Sequence, residues 1–494
     1  MKNLNLSKSS FIRGLQCSKS LYLYKHFYGL RDKLSPETLS KFSRGHGVGL
    51  LAQQLFPDGI NLKPYSPKQH ARSVARTLEL ILNGTNTLYE AAFSYNNVTV
   101  FSDILHFKNN QWHAYEVKSS AEVSETFVMD ASLQYYVISN SGIDLAAFDI
   151  IYINKDYVRQ EKLDIMQLFR FKEMLQEAKN NFPFVHEKVE EFKTLLANKE
   201  IPGINIGKHC NYPYTCDFIG HCWKEIPKRN NIFSIPSLQN EEKFALYNKG
   251  ICLAEEIPPE TSLTEIQKLQ VGSCIKNEEY IDVTGLKKYF SEIKYPVLIA
   301  DMQSYRVAVP RRKNSKPYQF IPYLLHAELM NEEGKELKSY SFFQEDASSH
   351  TSDFYKNIIE TFNEASVILI FNRKCFLIAL QTLVSDGFLS QAQMETIEKK
   401  TFDIESVFYY NLYFNPSLSL IPDLHSIARS IIKMRISRNL ISSDVVASDI
   451  YDSLQSETDM FHVVEIKEKL NEYAAFNLDV LKRFFKYLRS KNPA

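Results

Sequence analysis

Between residues 87 and 142 the spacing of apolar positions changes from strand-like to helix-like. "TLYEAAFSY" (87–95), "VTVFSDILHF" (98–107) and "WHAYEVK" (112–118) are rich in β-branched and aromatic residues and predict strands. "DASLQYYVISNSG" (130–142) predicts a helix after them. Successive side chains in a strand alternate between faces, so Glu116 and Lys118 share one face and Val117 takes the other. A solvated ion pair on an exposed strand is one account of that arrangement. The other begins from Asp103, which interrupts an otherwise apolar strand, where a carboxylate without a partner is costly to bury. A metal ion shared by Asp103 and Glu116 would offset that cost, and hard oxygen ligands suit Mg²⁺ or Mn²⁺.

Elsewhere the pattern predicts an early helix at "FSRGHGVGLLAQQLFPDG" (42–59) and short helices over 231–270, broken by Ile-Pro and Lys-Gly-Ile turns. From about 290, "YPVLIADMQSY" and "ASVILIFNRKCF" predict buried strands separated by helices, and "EYAAFNLDVLKRF" a closing helix. The expectation is a multidomain α/β protein divided into 1–228, a helical, hairpin-like connector at 229–290, and 291–494.

Composition adds exclusions. With 494 residues, 44% hydrophobic and 23% charged, the chain has globular character and room for two or three domains. No apolar run approaches the ~20 residues that span a bilayer, and "MKNLNLSKSS" lacks a signal-peptide core, so a cytoplasmic protein without membrane partners is expected. Lys plus Arg equals Asp plus Glu at 58 each, so any nucleic-acid contact must come from a local basic groove.

Seven cysteines occur, at 17, 210, 216, 222, 252, 274 and 375. Three crowd into "GKHCNYPYTCDFIGHCW" as C-x(5)-C-x(5)-C, beside Gly, Pro and Asn, a loop composition with no core to hide thiols in. With Cys17 they make a soft, all-thiolate set of four, as a [4Fe–4S] cluster requires; zinc is the alternative, with His209 and His221 adjoining.

The spacing D-x(12)-E-x-K of Asp103, Glu116 and Lys118 resembles the PD-(D/E)XK nucleases. That resemblance implies Asp103, Glu116 and a main-chain carbonyl as ligands of Mg²⁺ or Mn²⁺, with Lys118 orienting and polarising the attacking water. Glu90 falls where the superfamily often carries another carboxylate near the metal, and Gln134 with Tyr135 where RecB-like members place a DNA-contacting Gln-Tyr motif. Residues 1 to about 225 resemble the iron–sulfur branch of RecB-like nucleases, related to AddB and the CRISPR-associated exonucleases. One early cysteine and three late ones there ligate a cluster that staples the N-terminus to the end of the domain; Cys17, Cys210, Cys216 and Cys222 occupy those places. The triplet departs from the family's usual C-x(2)-C-x(5)-C. Gly49 stands where many relatives have a metal-binding His, and His46 lies one helical turn away.

The segment from 291 is similar to an RNase H-like, DEDD-type exonuclease domain that follows the nuclease in an uncharacterised family of bacterial RecB-like proteins. Asp301 and Asp403 match its carboxylates. Gln303 and Asn477 replace two others, Phe376 stands where a "YN..FE" segment would end in Glu, and Asp479 faces away from the position of Asn477 on a helix. Losing two of four negative charges weakens binding of two divalent ions, so this domain is expected to be inactive. The implied function is a Mg²⁺- or Mn²⁺-dependent deoxyribonuclease, exonucleolytic or single-strand-directed, acting on single strands or duplex ends in repair, recombination or defence. A non-catalytic nucleic-acid-binding or scaffold protein is the alternative, and RNA a third option.

Overall fold

A computed structural model describes residues 4–347 and 352–491 of the chain. It is a mixed α/β protein with two large mixed sheets, of seven and five strands. The chain divides into two compact units: one runs up to residue 225 and takes in 308–310, and the other comprises 226–307 and 311 onward. The segment 229–290, expected as a separate connector, falls within the second unit.

In the first unit the strands are β1 (Leu6–Ser7), β2 (Ile60–Asn61), β3 (Thr87–Tyr95), β4 (Val98–Lys108), β5 (Gln111–Lys118), β6 (Leu145–Ile153) and β7 (Phe169–Glu173). They lie in the order β2-β3-β4-β5-β6-β7, with β1 also paired to β4. Two hairpins dominate. Asn96–Asn97 joins β3 to β4 and Asn109–Asn110 joins β4 to β5, and all four asparagines have φ between 50° and 61°. Two consecutive left-handed residues make the turn whose twist matches antiparallel strands, and Asn tolerates that conformation better than most residues. β5 and β6 run parallel, connected through helix α3 (Glu125–Asn140), numbered after α1 (Lys8–Gln16) and α2 (Ser18–His26). α3 is buried from Asp130 to Gln134 without a break, so it is a helix buried nearly all round rather than amphipathic. It packs with α4 (Leu175–Ala197) against the sheet, and Phe11 of α1 joins the same core, its ring 5.6 Å from that of Phe192.

The five-stranded sheet of the second unit has the order β10 (Glu336–Phe343), β9 (Ile321–Met330), β8 (Val297–Tyr305), β11 (Val367–Ile370), β12 (Thr401–Asp403). β9 pairs antiparallel with β10 on one side and β8 on the other, and β11 and β12 join in parallel. Helices α5 (Asp444–Leu454) and α6 (Met460–Ser490) pack on β8. Buried Arg312 pairs with Asp386 and donates to the Tyr355 hydroxyl at 2.8 Å, which satisfies a charge the core could not otherwise hold. No helix among the described residues is long and apolar enough to cross a membrane.

A buried carboxylate–lysine cluster as candidate functional site

The pairing of β4 with β5 runs from Lys108–Gln111 to Ile104–Tyr115 and stops there. At the next position the strands part, and the Asp103 carboxylate replaces the missing ladder bond by accepting the Val117 N–H at 2.7 Å. Its cross-strand neighbour in the same register is Glu116, on the strand that β6 continues to hold.

Glu116 is 3% exposed and fully engaged. Lys8 Nζ donates to its two oxygens at 3.0 and 2.9 Å, Lys118 Nζ to Oε1 at 2.7 Å, and Gln134 Nε2 to Oε2 at 2.7 Å. Lys118 also donates to Asp130 Oδ2 at 2.6 Å and lies 4.9 Å from the centre of the Phe127 ring. Asp130 and Gln134 are one helical turn apart on α3, so both point at the strand ends. Two of their oxygens, Asp130 Oδ1 and Gln134 Oε1, are buried without a partner.

The charges in this cluster set one another. Burial pushes Asp103 up, to about 7, aided by the charge of Glu116 and opposed by Lys8 and Lys118. Burial would also raise Glu116, but Lys118 and Lys8 outweigh it and hold that carboxyl below the usual range. Asp130 is raised by burial against the pull of Lys118. Both lysines are held above their ordinary value, because the surrounding carboxylates overcome the cost of burying an ammonium.

Of the residues expected from the sequence, Asp103, Glu116, Lys118 and Gln134 meet here. Gln134, expected as a DNA contact, is fully buried with its amide on Glu116. Tyr135 points elsewhere and packs edge-on against Phe182 at 6.3 Å. Glu90 faces Asp103 in the β3–β4 register and has a left-handed φ of 54°, rare for a residue of its kind. Lys63 Nζ lies 3.7 Å from Glu90 and 3.5 Å from exposed His46, which brings that histidine to the same edge. At Gly49 a side chain would meet open space. Lys8 and Asp130 were missed. The i, i+4 spacing to Gln134 was a usable signal for Asp130; nothing local marks Lys8.

Cys17, Cys210, Cys216 and Cys222 line one cavity, together with His209 and Phe218; His221 is not among its lining residues. Burial raises the thiols of Cys17 and Cys222 and lowers His209. The cysteine loop is fastened to α1: Arg13 pairs with Asp217, and Gln16 Nε2 donates to the carbonyls of His209 and Tyr214 at 2.7 and 2.6 Å. Among the described residues no three His, Cys, Asp or Glu side chains already stand at ready metal-ligand separations, here or at Glu116. Four soft thiols around one cavity nonetheless suit a thiolate-ligated metal group.

In the second unit, Asp301 and Gln303 share a face of β8. Gln303 Nε2 donates to Asp301 Oδ2 at 2.8 Å, and Asn477 Nδ2 of α6 is 3.5 Å from both Asp301 oxygens. Asn477 Oδ1 is buried without a partner. Burial, then the charge of Asp444 on α5, pushes Asp301 up to about 8. Asp403 is engaged elsewhere, accepting the N–H groups of Arg373 and Glu405, both at 3.1 Å. Phe376 sits in the core, and Asp479 pairs with Arg483 one turn along α6.

The sequence profile of a domain of unknown function, DUF2779, matches residues 298–419, a stretch that includes Asp301, Gln303, Phe376 and Asp403. No curated protein matches the chain.

Proposed function

We propose that the first unit is a metal-dependent deoxyribonuclease of the PD-(D/E)XK type, RecB-like, acting on single strands or duplex ends, and that the second is an RNase H-like domain without hydrolytic activity of its own. The observation that carries the first half is the placement of Asp103, Glu116 and Lys118 at the point where two paired strands part. Asp103 and Glu116 would hold Mg²⁺ or Mn²⁺, which when bound supplies charge neutralisation and a more acidic water. Lys118, pinned between Glu116 and Asp130, keeps an ammonium beside those carboxylates, where it can orient a water and stabilise negative charge on phosphate. Gln134 fixes the rotamer of Glu116 from behind. Cys17, Cys210, Cys216 and Cys222 would hold a [4Fe–4S] cluster, or zinc.

For the second unit, a mixed five-stranded sheet with Asp301 and Gln303 on its central strand supports the RNase H-like reading. The pairing of Asp301 with two amides, rather than carboxylates, supports inactivity. The test is cleavage of labelled single-stranded and blunt duplex DNA with Mg²⁺ or Mn²⁺. Lys118→Ala should lose activity by at least about a hundredfold, the scale of one positioned catalytic group, while Asp301→Asn should cleave like the wild type. Cleavage unaffected by Lys118→Ala would refute the assignment of the site, and no cleavage of any DNA by the wild type would leave a binding or scaffold protein.

A further inference from the structure

Glu116 receives four hydrogen bonds between 2.7 and 3.0 Å, which fills the capacity of a carboxylate. A cation that takes Glu116 as a ligand must therefore displace a donor, and the three donor groups are not equally fixed. Gln134 is fully buried on a packed helix. Lys118 is also held by Asp130. Lys8 has its hydrogen bonds on Glu116 alone and the most exposed side chain of the two lysines, 23% against 17%. It also sits in the first turn of α1, where the positive end of the helix dipole disfavours an ammonium. Glu116, the one carboxylate it hydrogen-bonds, compensates most for that placement, and Asp130 and Asp103 add to it. The backbone around Lys8 is well anchored: Leu6 and Ser7 pair with Val98 and Thr99 of β4, and Ser7 caps α1 through Ser10. Lys8 can thus release its ammonium without the strand or helix moving.

We propose that Lys8 is the built-in counter-ion of Glu116, a positioning residue that keeps the carboxylate oriented and that a divalent cation displaces on binding. This rests on the metal-site reading of Asp103 and Glu116. Among Lys8, Lys118, Asp103, Glu116 and Asp130 the formal charge is −1, and without Lys8 it becomes −2. Removing Lys8 should consequently tighten metal binding, whereas removing a lysine that served only to hold the fold should leave it unchanged or weaken it.

Isothermal titration of the full chain with Mn²⁺ tests this on the wild type, Lys8→Met, Lys8→Arg and Glu116→Gln. Glu116→Gln should weaken the site, Lys8→Arg should stay near the wild type, and Lys8→Met should bind at least about tenfold tighter, equivalent to about 1.4 kcal/mol. Lys8→Gln, which keeps a hydrogen-bond donor without the charge, replaces Lys8→Met if that variant does not fold. Binding that Glu116→Gln weakens but that loss of the Lys8 charge does not tighten overturns the role of Lys8 and leaves the metal site standing. Absence of Mn²⁺ binding in every protein, or binding indifferent to Glu116→Gln, overturns both.

Discussion

Replacing Asp301 with Asn should make the second unit more stable at pH 7.5 and change how its stability responds to pH. In the folded chain burial pushes Asp301 up to about 8, whereas an unfolded Asp titrates near ~3.9. Between those values the folded state holds a proton that the unfolded state has released. Stability from this group is therefore fully present below about pH 4 and falls as pH rises towards 8, at about 1.4 kcal/mol per pH unit. From pH 5.5 to 7.5 the loss is roughly 2.7 kcal/mol by the same slope. Asn is nearly isosteric and neutral throughout, and its Oδ1 can accept the Gln303 amide as the carboxylate does. The protonated wild-type carboxyl donates in return, and Asn477, whose Oδ1 has no partner, offers an acceptor after a half-turn of its amide. Scanning calorimetry of the full chain in EDTA reads the second unit's transition. Its midpoint in Asp301→Asn should rise relative to the wild type by roughly 5–10 °C on going from pH 5.5 to 7.5, at about 2–4 °C per kcal/mol for units of this size. Parallel pH dependence in the two proteins would refute the claim that Asp301 is buried as an acid.

Two further outcomes concern the first unit. Cys17→Ser should lower bound iron or zinc and the melting temperature as much as Cys216→Ser does, because either loss opens the same long loop; elemental analysis that finds full metal content in Cys17→Ser refutes the four-thiol set. Gly14→Ala should destabilise by about 1–3 kcal/mol despite the better helix propensity of Ala, because its Cβ would fall 2.6 Å from the Phe192 ring; a rise in the denaturation midpoint would show that the ring yields.

The proximity of Asp103 and Glu116 was legible for a geometric reason. A two-residue turn at Asn109–Asn110 pairs positions symmetric about it, and 103 and 116 are symmetric. Lys8 was illegible because it lies 108 residues from Glu116, and long-range contacts bring it there: the pairing of Leu6 and Ser7 with β4 and the packing of Phe11 on Phe192. Asp130 was within reach of helix spacing, since it lies one turn before Gln134 on the same buried face. Segment 229–290 reads locally as a linker of short helices. What places it in the second unit is long-range: Tyr280–Ile281 pairs with Tyr413–Phe414, and Ile232, Ile235 and Leu238 pack in one cluster with Phe414.

Helix α1 also imposes an order in time. It is made before its partners, and its grip on the rest comes from Glu116, Phe192, His209 and Asp217. At ~5–20 residues per second, the interval between completing α1 and completing the cysteine loop is roughly 10–40 s. Within it Lys8 waits 108 residues for its carboxylate, and Phe11 lacks its full pocket until Phe192 follows. Helix α1 is therefore held by residues synthesised well after it: a slow ribosome or a misplaced pause before residue 116 would be felt at residue 8, and one before residue 217 at residue 13.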